Sequence, residues 1–150
     1  MTTKICDRLF VYGTLRNDPG HEMYHVLARS ANFLGEARMR GEMFDLGEYP
    51  GVVVSDDPRT HVVGELYELK PSETALALDI LDSYEECAPN QPEPQEYRRQ
   101  IARVELNGIA TDAWVYVLNS RPVGAIPIPG GDYLAWCRRG RKTQSIAKAK

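Results

Sequence analysis

Leu9-Phe10-Val11-Tyr12-Gly13-Thr14-Leu15-Arg16 (LFVYGTLR) is the stretch from which the rest of the chain is read. Four large apolar or aromatic residues in a row suit a strand buried in the core. Gly13 ends that run, and glycine reaches backbone angles closed to other residues and lets the chain approach a ligand closely. The amides of Gly13, Thr14 and Leu15 can then converge into a nest for an anion, with the charge of Arg16 nearby. The stretch therefore predicts a buried strand whose glycine turn forms one wall of a small-molecule site. A plain strand-to-loop turn, with Thr14 bonding its own backbone, is the alternative.

Working outward, further short runs carry strand chemistry at 8–12, 33–37, 41–46, 52–55, 62–69, 97–106 and 110–118. The runs VVGELYEL and AWVYVL mix alternation with β-branched and aromatic residues, as half-buried strands do. Asn107-Gly108 separates two of the runs and predicts a two-residue hairpin turn. Gly41 and the segment Gly47-Glu48-Tyr49-Pro50-Gly51 imply further breaks. The proline-rich stretches 88–95 and 121–131 read as loops. A first helix is expected from Asp18-Pro19 to about Ala28, and a second from the start signal Lys70-Pro71-Ser72-Glu73-Thr74 to Glu85 or Glu86. A short third turn or helix follows Gly131. The fold class expected is α+β: a small, mostly antiparallel β-barrel with flanking helices.

The second helix carries the most informative carboxylate. At about 100° per residue, Leu76, Ala77, Leu78, Ile80, Leu81 and Tyr84 form an apolar arc, while Asp79, Asp82, Ser83 and Glu86 gather opposite. Glu85 projects at the edge of the apolar arc. Partial burial and the negative end of the helix dipole both oppose its ionisation, which favours a carboxyl that takes and returns a proton near neutrality. The bland reading is a glutamate that reaches solvent as the helix frays.

Composition sets the frame. The 150 residues are 43% hydrophobic and 26% charged, which suits one domain over 1–137. Residues 138–150 hold six basic side chains and no acid, whereas the preceding 137 hold 12 basic and 21 acidic ones. The tail reads as a solvated, flexible terminus, and the acidic body argues against a nucleic-acid partner. No apolar run approaches the roughly 20 residues of a membrane span, so no membrane partner is expected. MTTKICDR lacks the apolar stretch of a signal peptide. Cys6, Cys87 and Cys137 form no CxxC pair, and neither a disulfide framework nor a thiolate metal cluster is suggested. A reducing, cytoplasmic setting is expected, and nothing in the sequence sets the oligomeric state.

Tyr12-Gly13-Thr14-Leu15 also resembles the YGTL signature of the gamma-glutamylcyclotransferase-like superfamily. In the expected order, Gly47-Glu48-Tyr49-Pro50-Gly51 is similar to its G-x-Y-P-G/A turn, and Val63-Gly64-Glu65-Leu66-Tyr67 to its G-x-L/V-Y strand. Leu81-Asp82-Ser83-Tyr84-Glu85 resembles L-D-x-Y/F-E, Tyr97-Arg98-Arg99 resembles Y-x-R, and Trp114-Val115-Tyr116 resembles W-x-Y. The similarity spans residues 8–134 and points to the AIG2-like and gamma-glutamylamine cyclotransferase branch. It implies a barrel with a pocket between the YGTL loop and the glutamate of the helix. It further implies Glu85 as proton acceptor and donor, substrate binding by Tyr12, Gly13, Thr14 and Leu15, and a weaker match of Tyr133 to a late substrate-touching tyrosine. The implied reaction expels an amine from a small gamma-glutamyl compound as 5-oxoproline closes, with no metal and no cofactor. Glu86 departs from the pattern, standing where many members have glycine.

Other readings compete. His21-Glu22-Met23-Tyr24-His25 matches the HExxH pattern of zinc hydrolases. Against it, Pro19-Gly20 puts the pair at the positive end of the helix dipole, and His61 is the only other histidine. Catalysis by Cys87 is disfavoured because the adjacent Glu85 and Glu86 raise rather than lower a thiol pKa. A non-catalytic module that binds a small ligand or a partner in the same pocket is the serious rival.

Overall fold

The computed structural model describes residues 6–13, 22–47, 49–88, 90, 92 and 94–139. Seven strands and three α-helices follow in the order β1 (Arg8–Val11), α1 (Glu22–Ser30), β2 (Ala31–Asp45), β3 (Pro50–Val54), β4 (His61–Leu69), α2 (Thr74–Tyr84), β5 (Tyr97–Leu106), β6 (Ile109–Leu118), β7 (Ile126–Pro127) and α3 (Tyr133–Arg138). Neighbouring strands run β2-β4-β1-β6-β5, and β5 returns to β2 through Arg38 opposite Glu105 and Met39 opposite Val104. That last pairing closes a five-stranded barrel, with β3 and β7 added along the far half of β2. β1 runs parallel to β6, with Leu9 opposite Trp114, and the other pairings are antiparallel. The expected α+β barrel is the fold observed. Among the described residues no helix is long and apolar enough to cross a membrane.

The density of the opening strand has a direct cause. Phe10 and Tyr12 point into the barrel, joining Met39, Val62, Leu66, Val104 and Val115. Leu9 and Val11 face outward into a second cluster with Leu27 of α1 and Ala77, Leu78 and Leu81 of α2. Both faces of β1 are thus covered, so alternation is lost. β6 repeats the arrangement, sending Ala113, Val115 and Val117 inward and Tyr116 and Leu118 toward the helices. The interior of so small a barrel is filled by side chains. A site must therefore open at the rim or under the helices.

Three expectations needed correction. The runs 33–37 and 41–46 are one continuous strand, β2. Gly41 does not break it; a Cβ there would lie 2.8 Å from the Val53 carbonyl, so the glycine serves close strand contact. The loop 121–131 contains β7, where Pro127 pairs with Phe44 at an edge that proline tolerates. On α2 the buried face is Thr74, Ala77, Leu78, Leu81 and Asp82. Leu76, expected inside, is 59% exposed, and Asp82, expected outside, is 8% exposed. The helix is rotated from its hydropathy pattern because Asp82 has a cationic partner on the barrel.

The Asn107-Gly108 turn joins β5 to β6 with positive φ at both residues, 52° and 80°. That is the type I′ geometry the dipeptide favours. Gly108→Ala is expected to cost about 1 kcal/mol, because the new Cβ meets the local steric penalty of the left-handed region. Urea unfolding of the two proteins measures it.

Candidate active site

The last turn of α2 lies over the ends of β1 and β6. Glu85 caps the helix, its N–H donating to the Leu81 carbonyl at 2.8 Å. The Glu86 N–H donates to the Ser83 carbonyl at 3.1 Å, and the Cys87 N–H to the Asp82 carbonyl at 3.0 Å. These paired bonds make a Schellman turn, whose left-handed residue is usually glycine. Glu86 occupies that position with φ 61°. Its departure from the expected glycine is thus located: it is the residue that turns the chain away, and its side chain is exposed.

The turn leaves Glu85 pointing inward, 7% exposed. It meets a small cavity of about 30 Å³ lined by Phe10, Val11, Tyr12, Gly13, Glu85, Tyr97 and Tyr116. The structure therefore brings together three of the expected catalytic and substrate-binding residues, Tyr12, Gly13 and Glu85. Thr14 and Leu15 lie outside the described residues. Tyr133 is fully buried in the barrel cluster that also holds Phe10 and Tyr12, and it is not among the residues lining the cavity. Of the HExxH motif, His21 lies outside the described residues and His25 is exposed on α1. The tail also falls outside them from Gly140 onward.

Three tyrosines build the wall, and each hydroxyl is committed. Tyr12 donates to the Tyr116 carbonyl at 2.6 Å, Tyr97 to the Pro50 carbonyl at 2.8 Å, and Tyr116 to Asp82 Oδ1 at 2.7 Å. These bonds fix the rings, so the surface offered to a ligand is aromatic. Glu85 is the one carboxylate in the lining. Tyr97 and Tyr116 carried no assigned role in the sequence reading. Their signal in the sequence is the Y-x-R and W-x-Y resemblance, and both sit on strands whose outer face meets the helix bearing Glu85.

A larger cleft of about 640 Å³ opens elsewhere, between β2, the 55–58 loop and β5. Its cations Arg38, Arg40 and Arg103 stand beside the acids Asp56 and Glu105. It holds no residue of the constellation around Glu85. Among the described residues, a buried carboxylate meets the glycine turn at the smaller cavity.

The cavity leaves its mark on the phenols. Burial first, then the charges of Glu85 and Glu96, pushes Tyr12 well above the usual tyrosine value. Burial also dominates for Tyr97, followed by Tyr12 and Glu85, and for Tyr116, followed by Asp82. The unfolded chain releases such protons near pH 10, whereas the folded chain holds them. Their contribution to stability is therefore complete below about pH 10 and is lost as pH rises beyond it. Urea midpoints followed through alkaline pH are expected to fall above that value, with tyrosinate absorbance from these three of the eight tyrosines appearing only as the protein unfolds.

The family model for gamma-glutamyl cyclotransferase, AIG2-like proteins matches residues 9–135. The chain belongs to this family. Among its relatives, YkqA of Bacillus subtilis is 33% identical over 144 residues, spanning 95% of this chain and 44% of that protein. A Vibrio cholerae gamma-glutamylcyclotransferase relative is 32% identical over 133 residues, spanning 87% and 96%. The crystal structure of YkqA superposes with a TM-score of 0.64 at 27% identity, covering 91% of this chain and 44% of the other. The solution structure of Escherichia coli YtfP gives 0.57 at 30% identity, covering 87% and 98%. The chain thus spans less than half of the Bacillus protein but nearly the whole of the Vibrio and Escherichia ones. As a member of the gamma-glutamyl cyclotransferase family it carries the family's barrel, and Tyr12, Gly13, Glu85 and Tyr133 all fall within the matched span.

Proposed function

We propose that the protein releases 5-oxoproline and an amine from a small gamma-glutamyl compound, with Glu85 as general base and then general acid. The observation that carries this reading is the buried Glu85 carboxylate facing the Tyr12-Gly13 turn across an aromatic cavity. Family membership supports the cyclotransferase class.

The substrate supplies both reacting groups. Its α-amine attacks its own γ-carbonyl carbon, a ring C–N bond forms, and the bond to the leaving nitrogen breaks. An α-ammonium is mostly protonated at neutral pH, with an ordinary pKa of about 7.7–8.0, so a base must free the lone pair. Glu85 takes that proton and returns it to the departing nitrogen as its bond breaks. The second proton, shed by the attacking nitrogen as the lactam N–H forms, ends on the released amine as its ammonium, so the count closes without oxidant or reductant. Backbone amides at Gly13, Thr14 and Leu15 hold the substrate carboxylate and fold the glutamyl chain toward ring closure. Orientation of this kind contributes roughly 7–11 kcal/mol in favourable intramolecular reactions. Tyr133 supports the wall from within the barrel.

Incubation with a panel of gamma-glutamyl amines and peptides, assayed for 5-oxoproline, tests the proposal. Release from at least one member is the expected result. Tight binding across the panel without product would assign a binding module instead.

A further inference from the structure

Four sequence features left without a role by the proposed reaction meet at one point: Asp82 from the helix, Arg99 from β5, and Trp114 and Tyr116 from β6. Arg99 grips Asp82 with a fork, Nε to Oδ1 at 2.8 Å and Nη2 to Oδ2 at 3.1 Å. The Tyr116 hydroxyl adds a third donor to Oδ1 at 2.7 Å. The guanidinium itself sits over the Trp114 ring, 4.2 Å from its centroid. Asp82 is one helical turn before Glu85 and shares its buried face. The strands that supply the donors also supply Tyr97 and Tyr116 to the cavity wall.

We propose that Asp82, Arg99 and Tyr116 form a positioning unit for Glu85. The fork pins the last turn of α2 against β5 and β6, and the guanidinium neutralises Asp82 so that Glu85 faces the cavity beside an ion pair rather than a second anion. The use of this unit in catalysis rests on the function proposed above; its geometry and electrostatics do not.

Two carboxylates a turn apart on a buried face repel, and one of them would hold its proton and cease to act as a base. Arg99 removes that conflict by gripping Asp82 in a two-bond fork, so that what stands beside Glu85 is an ion pair. The planar fork also fixes direction, as a lysine ammonium cannot, and stacking on Trp114 restrains the guanidinium further. A plain staple between helix and barrel would use the same contacts but would leave the titration of Glu85 indifferent to the sign of the charge removed.

The test is a carbon-13 NMR titration of the Glu85 carboxyl, assigned by its loss in Glu85→Gln. The ionisable groups that share the cavity lining with it are Tyr12 at the end of β1, Tyr97 from β5 and Tyr116 from β6. Asp82 lies one turn back on α2 with Arg99 behind it, Glu86 and Cys87 follow Glu85 in the chain, and Glu96 adjoins Tyr97. Arg99→Met leaves Asp82 uncompensated and is expected to raise the Glu85 midpoint by about one pH unit. Asp82→Asn leaves the cation and is expected to lower it by a similar amount, about tenfold in the protonation equilibrium. The double variant is expected to return near the wild-type midpoint. Arg99→Lys, which keeps charge but loses the fork, should hold the midpoint and lower kcat about tenfold with KM within about twofold.

Single variants that move the midpoint in the same direction, or not at all, would overturn the unit. Where Arg99→Met does not fold, Asp82→Asn against the double variant carries the sign. A wild-type protein that titrates as expected yet releases no 5-oxoproline keeps the unit and removes the reaction. Turnover without the opposed shifts does the reverse.

Discussion

Glu85→Gln is expected to lower 5-oxoproline release at least about 100-fold while the fold stands, as befits the loss of a general base. The amide matches the carboxylate in size and keeps polar atoms where the cavity presents its aromatic wall, so packing is conserved. What it loses is the capacity to take a proton from the substrate ammonium. The helix end holds through backbone bonds at Leu81, Ser83 and Asp82 that the side chain does not make. Single-turnover release of 5-oxoproline, measured beside thermal unfolding, checks both halves. Full activity in the variant would remove Glu85 from the chemistry. Glu85→Asp is expected to fall between the two, because it keeps a base but draws the carboxylate back by one methylene, a misplacement of about 1 Å or more.

Gly64→Ala is expected to be the most damaging small substitution in the barrel, at about 3 kcal/mol of stability. A Cβ at Gly64 would collide with the Val11 carbonyl oxygen and lie 2.6 and 2.9 Å from Phe10 ring atoms. Neither neighbour can give way. Val11 is paired to β4 opposite Glu65, and Phe10 is 1% exposed inside the barrel. The displacement would pass along β1 into Tyr12 and Gly13, so activity is expected to fall with stability. Urea midpoints of the two proteins, read with the 5-oxoproline assay, measure the pair of effects; an unchanged midpoint would show that β1 and β4 can part without cost.

Much of the architecture was legible in local chemistry. The unbroken apolar run at β1 announced a strand covered on both faces, and Asn107-Gly108 announced its hairpin. Glu85 was legible as a carboxylate at the border of an apolar helix face. The face itself was misread. Hydropathy places Asp82 toward water, and its nonlocal partners Arg99 on β5 and Tyr116 on β6 turn it inward. Leu76 is turned out by the same rotation, and an exposed leucine carries no local signal. With the face corrected, Glu85 moves from the edge of the buried arc to its middle. Gly41 failed for another reason: a glycine that turns the chain and one that admits a neighbouring backbone look alike in sequence. Tyr12, Tyr97 and Tyr116 stand in quoted motifs, but their convergence in one wall emerges only when β5 and β6 fold beneath the helix.

The turn that ends α2 also governs how long the carboxylate stays in place. Helix ends ordinarily fray on fast timescales, since their last carbonyls lack partners. Here the amides of Glu85, Glu86 and Cys87 all return to carbonyls of the final turn. Letting go of the terminus means breaking that set together, along with the ion pair beneath it. The lifetime of Glu85 at the cavity is then that of the helix as a cooperative unit. Amide exchange at these three positions becomes a clock for the site.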